Sequence, residues 1–142
     1  MKRVSLTILS CIFILLVVSS YGVKADQSAE ESAVASSQKW LSLVDKGKFS
    51  ESWEKAASYF KKAIPEEKWL EAMNTFRQDL GKVITRKLKF KEYTTSLPGA
   101  PDGEYVVIQY ETSFENKKSA TETIIPMLDK DDTWRVSGYY IK

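Results

Sequence analysis

The chain has 142 residues, 21 basic and 19 acidic side chains, a single cysteine and no histidine. Without histidine neither a Ser-His-Asp nor a Cys-His triad can be built, and zinc would find only carboxylates to hold it. No Gly-x-Gly-x-x-Gly or Walker loop is present, so nucleotide and dinucleotide binding lose their usual signature.

Lys2 and Arg3 precede an apolar run from Val4 to Val18, and the segment closes on Val23-Lys24-Ala25. A positive n-region, an apolar h-region and a small-residue cleavage site, in that order, read as a secretory signal peptide cut after Ala25. The apolar run is 15 residues long and carries Ser5, Thr7 and Ser10. That is short of the ~20 residues of a membrane span, so an uncleaved anchor is the lesser reading and no stable span is expected after cleavage. Ile8-Leu9-Ser10-Cys11 faintly resembles a lipoprotein cleavage box, but the apolar run continues past Cys11, whereas a lipidated cysteine would follow it. Residues 26–142 are then expected as a single α+β domain in the periplasm or outside the cell. Lys2, Arg3 and Lys24 leave with the signal, which turns the balance to 18 basic against 19 acidic residues. The pI near 8.5 therefore belongs to the precursor and is no nucleic-acid footprint. With Cys11 gone no disulfide can form, and packing alone must hold the fold.

Ser28 with Glu31 three residues on forms a capping box, and Val34, Leu41 and Val44 follow near helical spacing with Trp40 on the flank. Gly47 offers a C-terminal cap. A second helix is predicted from Ser50, with Trp53, Ala56, Ala57 and Phe60 on one face. Pro65 suits the first turn of a third, where Glu66 and Glu67 complement the dipole. Its stripe is Trp69, Met73, Phe76 and Leu80, and Gly81 ends it. The residue types around Trp40, Gly47, Ala56, Phe60 and Ala63 are those of a tetratricopeptide unit, but the spacing differs and no second copy follows.

After Gly81 the period becomes two. Arg86, Leu88 and Phe90 alternate with Lys87, Lys89 and Lys91, which predicts a strand with the three lysines on one face. The run from Leu97 to Gly103 is a dense turn signal. Tyr105 to Phe114 and Thr121 to Leu128 read as strands separated by a polar loop at Asn116-Lys117-Lys118, and Lys130-Asp131-Asp132 turns into a last strand from Trp134 to Ile141. The expected architecture is α+β: three N-terminal helices packed on one face of a four-stranded antiparallel meander sheet. Trp53, Phe60, Trp69, Met73 and Phe76 should pack against Ile108, Tyr110, Trp134 and Val136.

Asp129, Asp131 and Asp132 gather at one turn, yet calcium wants six to eight oxygens and this turn lacks the Gly and terminal Glu of a calcium loop. Asp favouring a hairpin turn explains them, and neither metal nor cofactor is expected. Lys87, Lys89 and Lys91 are the core of a basic patch: an ordinary guard on a strand edge, or a contact for anionic head groups or an acidic partner. Arg86 shares its strand face with Leu88 and Phe90, as Glu122 does with Ile124 and Leu128. A charge there needs a partner. Either the two form a structural pair, or they line a small polar ligand pocket together with Trp134 and Tyr110.

These residues resemble a bacterial family of small exported proteins, domain of unknown function 4019, over nearly the whole chain after the signal. The resemblance shows in Trp40, Gly47, Phe49 and Trp53, in Arg77, Leu80-Gly81, Val83 and Arg86, in Gly103 to Val107, and in Glu122-Thr123. Its most specific piece is the run Trp134-Arg135-Val136-Ser137-Gly138-Tyr139. Asp132-Thr133 departs from it where a turn Gly is expected. The family implies no activity, so no catalytic residues carry over. The element order also resembles part of the nuclear-transport-factor-2-like cone, a fold that hosts isomerases, dehydratases, ligand binders and inert adaptors. The expectation is a non-enzymatic exported module binding a small ligand or an envelope protein, with no nucleic-acid partner. The competing readings are a cone-fold lyase or isomerase using Glu122 as base and Arg86 or a Tyr as electrophile, and a structural envelope-associated protein.

Overall fold

A computed structural model of the protein describes residues 15–142. Lys2, Arg3, Cys11 and most of the predicted h-region lie outside them. Helix α1 (Leu15–Asp45) is followed by the short helices α2 (Phe49–Glu54), α3 (Ser58–Ala63) and α4 (Glu66–Ala72). From α4 the chain runs on through a π turn, Met73–Arg77, and a 3-10 turn, Gln78–Leu80. Strands β1 (Val83–Thr94), β2 (Tyr105–Phe114), β3 (Lys117–Leu128) and β4 (Trp134–Ile141) form an antiparallel meander in the order β1-β2-β3-β4. The α+β layout is as expected, with the helices on one face of the sheet.

Ala33, Ser37, Trp40, Leu41 and Val44 recur at helical spacing and are buried, so α1 presents one stripe to the sheet and contacts all four strands. Trp40 is at the centre of that stripe rather than on its flank. Gly47 takes φ +71, and its N–H reaches Val44 O at 3.0 Å while Lys48 N–H reaches Leu43 O at 2.9 Å, a Schellman ending for α1. The capping box does not open this helix: α1 already runs through Ser28, which sits in its interior.

The second predicted helix is two. At Ala57 the backbone turns extended and its N–H donates to Val136 O of β4 at 2.8 Å, which breaks the helix between Glu54 and Ser58. Asp129, at the end of β3, then caps α3 by accepting from Ser58 N and Oγ, each at 3.0 Å. Six-residue helices do not stand alone. Indole N–H groups fasten α2: Trp40 donates to Ser52 O at 2.7 Å and Trp69 to Ser52 Oγ at 3.0 Å. Phe60, Trp69 and Met73 pack with Val106, Ile108, Tyr110, Ile124 and Val136 in the core, with Trp53 and Trp134 partly buried against it.

Phe76 contradicts the expected stripe. It is 73% exposed, and Arg77 takes the inward place at 5%. The π turn inserts one residue's worth of rotation after Met73, so the side chain due inward at i+3 points out.

Two corrections fall on the strands. Lys117 and Lys118 belong to β3, and only Glu115-Asn116 separates it from β2. In β1, Leu88 pairs with Tyr110 but Phe90 with Gln109, so Lys89 is an extra residue in a bulge. The bulge reverses the alternation. Lys91 joins the helix-facing side, where it meets Glu30 at 3.4 Å, and Phe90 turns to the open face. The three lysines therefore do not share a face, and Lys89 is itself paired with Glu111 at 3.0 Å. At the β3–β4 turn Asp132 adopts φ +58, the left-handed conformation for which a Gly was expected.

Candidate functional site

The helix-facing side of the sheet carries an ionic network at the end where β3 begins. Arg86 projects from β1 and Glu122 from β3, and Arg86 Nε meets Glu122 Oε1 at 2.8 Å and Nη2 meets Oε2 at 3.3 Å. The other edge of the same guanidinium grips Asp45, the last residue of α1, through Nη1 at 2.7 Å and Nη2 at 2.9 Å. Asp45 also accepts from Arg77 Nη2 at 3.0 Å. The charges thus alternate: Arg77, Asp45, Arg86, Glu122. An acid at a helix C-terminus opposes the dipole, and here two guanidiniums offset it.

Glu122 is 0% exposed. Thr112 Oγ1 donates to its Oε1 at 2.5 Å and Tyr139 OH to its Oε2 at 2.7 Å, so with Arg86 the carboxylate accepts four hydrogen bonds. A carboxylate offers about four lone-pair positions, so none is left over. Burial works against the Arg86 charge, but hydrogen bonds to Asp45 and Glu122 outweigh it and raise its pKa. Burial, reinforced by the Glu122 charge, raises the Tyr139 phenol well above 10.0 and keeps it a neutral donor. Arg77 also donates to Gly81 O at 3.0 Å and lies over the Phe114 ring, 4.7 Å from its centroid. Its Nε is the one buried side-chain polar atom without a partner among the described residues.

Of the residues singled out in the sequence, the structure brings Arg86 and Glu122 together. Tyr110 pairs with Glu122 across β2 and β3, but its hydroxyl lies 3.5 Å from Ser37 Oγ and bonds to neither charge. Trp134 pairs with Leu128, six positions along β3 from Glu122, or roughly 20 Å away. The structure does not place it in the cluster. Asp45, Arg77, Thr112 and Tyr139 went unpredicted. Arg77 follows Trp69 and Met73 at i+8 and i+4, so the signal for an inward Arg was present in the spacing, in competition with Phe76.

Beside the network a groove of about 340 Å³ opens between the π turn and β4. Trp69, Met73, Phe76 and Tyr139 line it, and Arg77 and Lys117 are its only charged residues. Trp69 and Tyr139 are in edge contact at 6.4 Å, and Trp40 lies behind both, 5.8 Å from Trp69 and 5.3 Å from Tyr139. Arg77 and Tyr139 thus belong to the network and the groove together. A second hollow of about 440 Å³ lies at the other end of β4, near Asp129, Asp131 and Arg135. Arg135 holds Asp131 through two bonds of 2.6 and 2.8 Å, and with Asp129 serving as the α3 cap these two carboxylates are committed; Glu54, Lys55, Lys61 and Lys130 complete its charged lining.

A family described as protein of unknown function (DUF4019) matches residues 36–139, and the chain belongs to it. The match spans every member of the network, from Asp45 to Tyr139. No curated protein and no solved structure matches the chain, so the cone likeness rests on element order alone.

Proposed function

We propose that this chain is an exported, non-enzymatic binding module whose working surface is the groove between the π turn and β4. One observation carries the reading: Glu122, the best-placed acid, has every oxygen position filled, while an open apolar groove lies beside the network, sharing Arg77 and Tyr139 with it. A general base needs a free lone pair within reach of the proton it takes. Glu122 offers none, Arg86 is held on both edges, and Tyr139 is locked as a neutral donor to Glu122. The network instead ties α1, the π turn, β1, β3 and β4 together. This arrangement counts against the lyase or isomerase reading, and the groove has the features of a ligand site: concave, mainly apolar, with a few polar groups.

Export is part of the proposal, and the sequence of Lys2-Arg3, the apolar run and Ala25 supports it. Gly22 to Ser28 are exposed, and the core begins at Ala33. Of the residues whose exposure is described, a cut after Ala25 removes only Gly22 to Ala25, all exposed. Sequencing of the secreted chain should begin at Asp26; an N-terminus at Met1 on membrane-held protein would refute it.

Native mass spectrometry of the protein purified from the envelope of its own cells tests the binding. A retained species that disappears in Phe76→Ser is the expected result. Retention that persists in Phe76→Ser and is lost only when Arg86 or Glu122 is replaced would move the site to the network. Turnover of that species, abolished by Glu122→Gln in a folded protein, would restore the enzymatic reading.

A further inference from the structure

The walls of the groove describe its ligand more closely, on the reading that the groove binds at all. Trp69, Met73 and Phe76 give it an apolar side, and Phe76, at 73% exposure, spends its ring on water in the absence of a ligand. Leaving a large aromatic out of a core costs burial that the neighbouring groove can return. The π turn is what puts it there, and such turns concentrate at functional sites.

The charge of the lining is one-sided. Arg77 and Lys117 are its only ionic groups, and no acid lines it, in a chain whose acids and bases are nearly balanced after the signal. Lys117 is exposed and makes no ion pair among the described residues. Arg77 shares its one carboxylate, Asp45, with Arg86, and has a buried Nε left over. The volume of about 340 Å³ is at the small end of ligand pockets.

We infer that the groove binds a small single-chain amphiphile with an anionic head, its apolar chain against Phe76, Met73 and Trp69 and its head toward Lys117 and Arg77. Apolar contact supplies the affinity, and the two cations choose the sign of the head group.

Three ten-carbon probes separate the terms: decanoate, decanol and decyltrimethylammonium, titrated calorimetrically against the processed chain and its variants Phe76→Ser and Lys117→Glu. Both positions are exposed, so both variants should fold, and circular dichroism checks this. Decanoate should bind about tenfold or more tighter than decanol, as one charge-assisted contact predicts, and the cation should bind weakest. Lys117→Glu should remove the preference for decanoate while leaving decanol unchanged, and Phe76→Ser should weaken both. Equal binding of decanoate and decanol, unmoved by Lys117→Glu, would overturn the anionic head and leave the binding reading standing. No binding of any probe, together with no species lost from Phe76→Ser in the mass spectrum, would overturn both. A concentration-dependent dimer in light scattering, dissociated by Phe76→Ser, would make the occupant a second copy of the chain and overturn the inference.

Discussion

Removing Glu122 is the most direct test of the network. Glu122→Ala strands four donors at once: Arg86 Nε and Nη2, Thr112 Oγ1 and Tyr139 OH. Arg86 keeps Asp45, so its charge is not wholly abandoned. Breaking a buried ion pair from one side costs about 3–5 kcal/mol. The two hydroxyls, each worth about 1 kcal/mol in a satisfied bond, push the loss toward the upper end of that range. Against a total stability of roughly 5–15 kcal/mol, that is a third or more of the fold. Glu122→Gln is gentler, about 1–3 kcal/mol, because its carbonyl still accepts from Arg86 and Thr112 while Tyr139 can rotate to accept from the amide. Urea unfolding followed by tryptophan fluorescence measures both. In a double-mutant cycle with Arg86→Ala the pair should couple by at least 1 kcal/mol or so. A loss below about 1 kcal/mol for Glu122→Ala, or additivity within about 0.5 kcal/mol, would mean that the network does not clamp the sheet to the helices.

Phe76→Ala should change stability by no more than about 0.5 kcal/mol, since the ring is exposed; a loss of ~3 kcal/mol would put it back in the core. Gly81→Ala should cost about 1–3 kcal/mol, for Gly81 lies at φ 75, ψ −158, where side chains are strained. An added Cβ would also stand 2.6 Å from Glu115 Oε2, and an unchanged urea midpoint would contradict both reasons. Asp131 is held at about 2, chiefly by its hydrogen bonds from Arg135, against an ordinary 3.8. Its contribution is present above 3.8 and lost as pH falls toward 2, so a carboxyl chemical-shift titration should find the low midpoint, and Arg135→Met should return it toward 3.8. Tyr139 titrates the other way: its raised value stabilises the fold below 10.0, and that contribution is lost as pH climbs through the folded value. Alkaline unfolding should accordingly be shallower in Tyr139→Phe.

Layers and strand order were legible in the sequence because hydrophobic period decides them: near 3.6 in Val34, Leu41 and Val44 and in Trp53, Ala56, Ala57 and Phe60, and two after Gly81, although the stripe that α1 buries starts from Ala33 and Ser37 and centres on Trp40. What was lost shares a cause. At Ala57, Met73 and Lys89 the period is interrupted by a contact or an inserted residue that local pattern does not announce. Ala57 leaves the helix because Val136 and Asp129, about seventy to eighty residues on, offer its neighbourhood better hydrogen bonds than the next helical turn. Lys89 is an extra residue only in relation to β2. Arg86 and Glu122 could be read as a pair because each stood charged within an apolar alternation. Asp45 and Tyr139 could not, because an acid at a helix end and a Tyr in a strand look ordinary until the elements meet.

The π turn makes network and groove one device. The residue inserted after Met73 keeps Arg77 inward, against Asp45, and by the same step turns Phe76 out to the rim. A regular α-helix through 73–80 would hold Phe76 at i+3 and Arg77 at i+4 on the same inward flank, and the exposed ring at the rim would be lost. Since Arg77 and Tyr139 serve both, occupancy of the groove and integrity of the network are linked free energies. A ligand present at 100 times its dissociation constant adds about 2.7 kcal/mol to the folded state. Whatever decanoate adds to the melting temperature should therefore shrink in Glu122→Gln, which replaces no groove residue but loosens Tyr139 in the groove wall. An identical shift in both proteins would show that the groove is built without help from the network, and that the two features share a turn without sharing any energy.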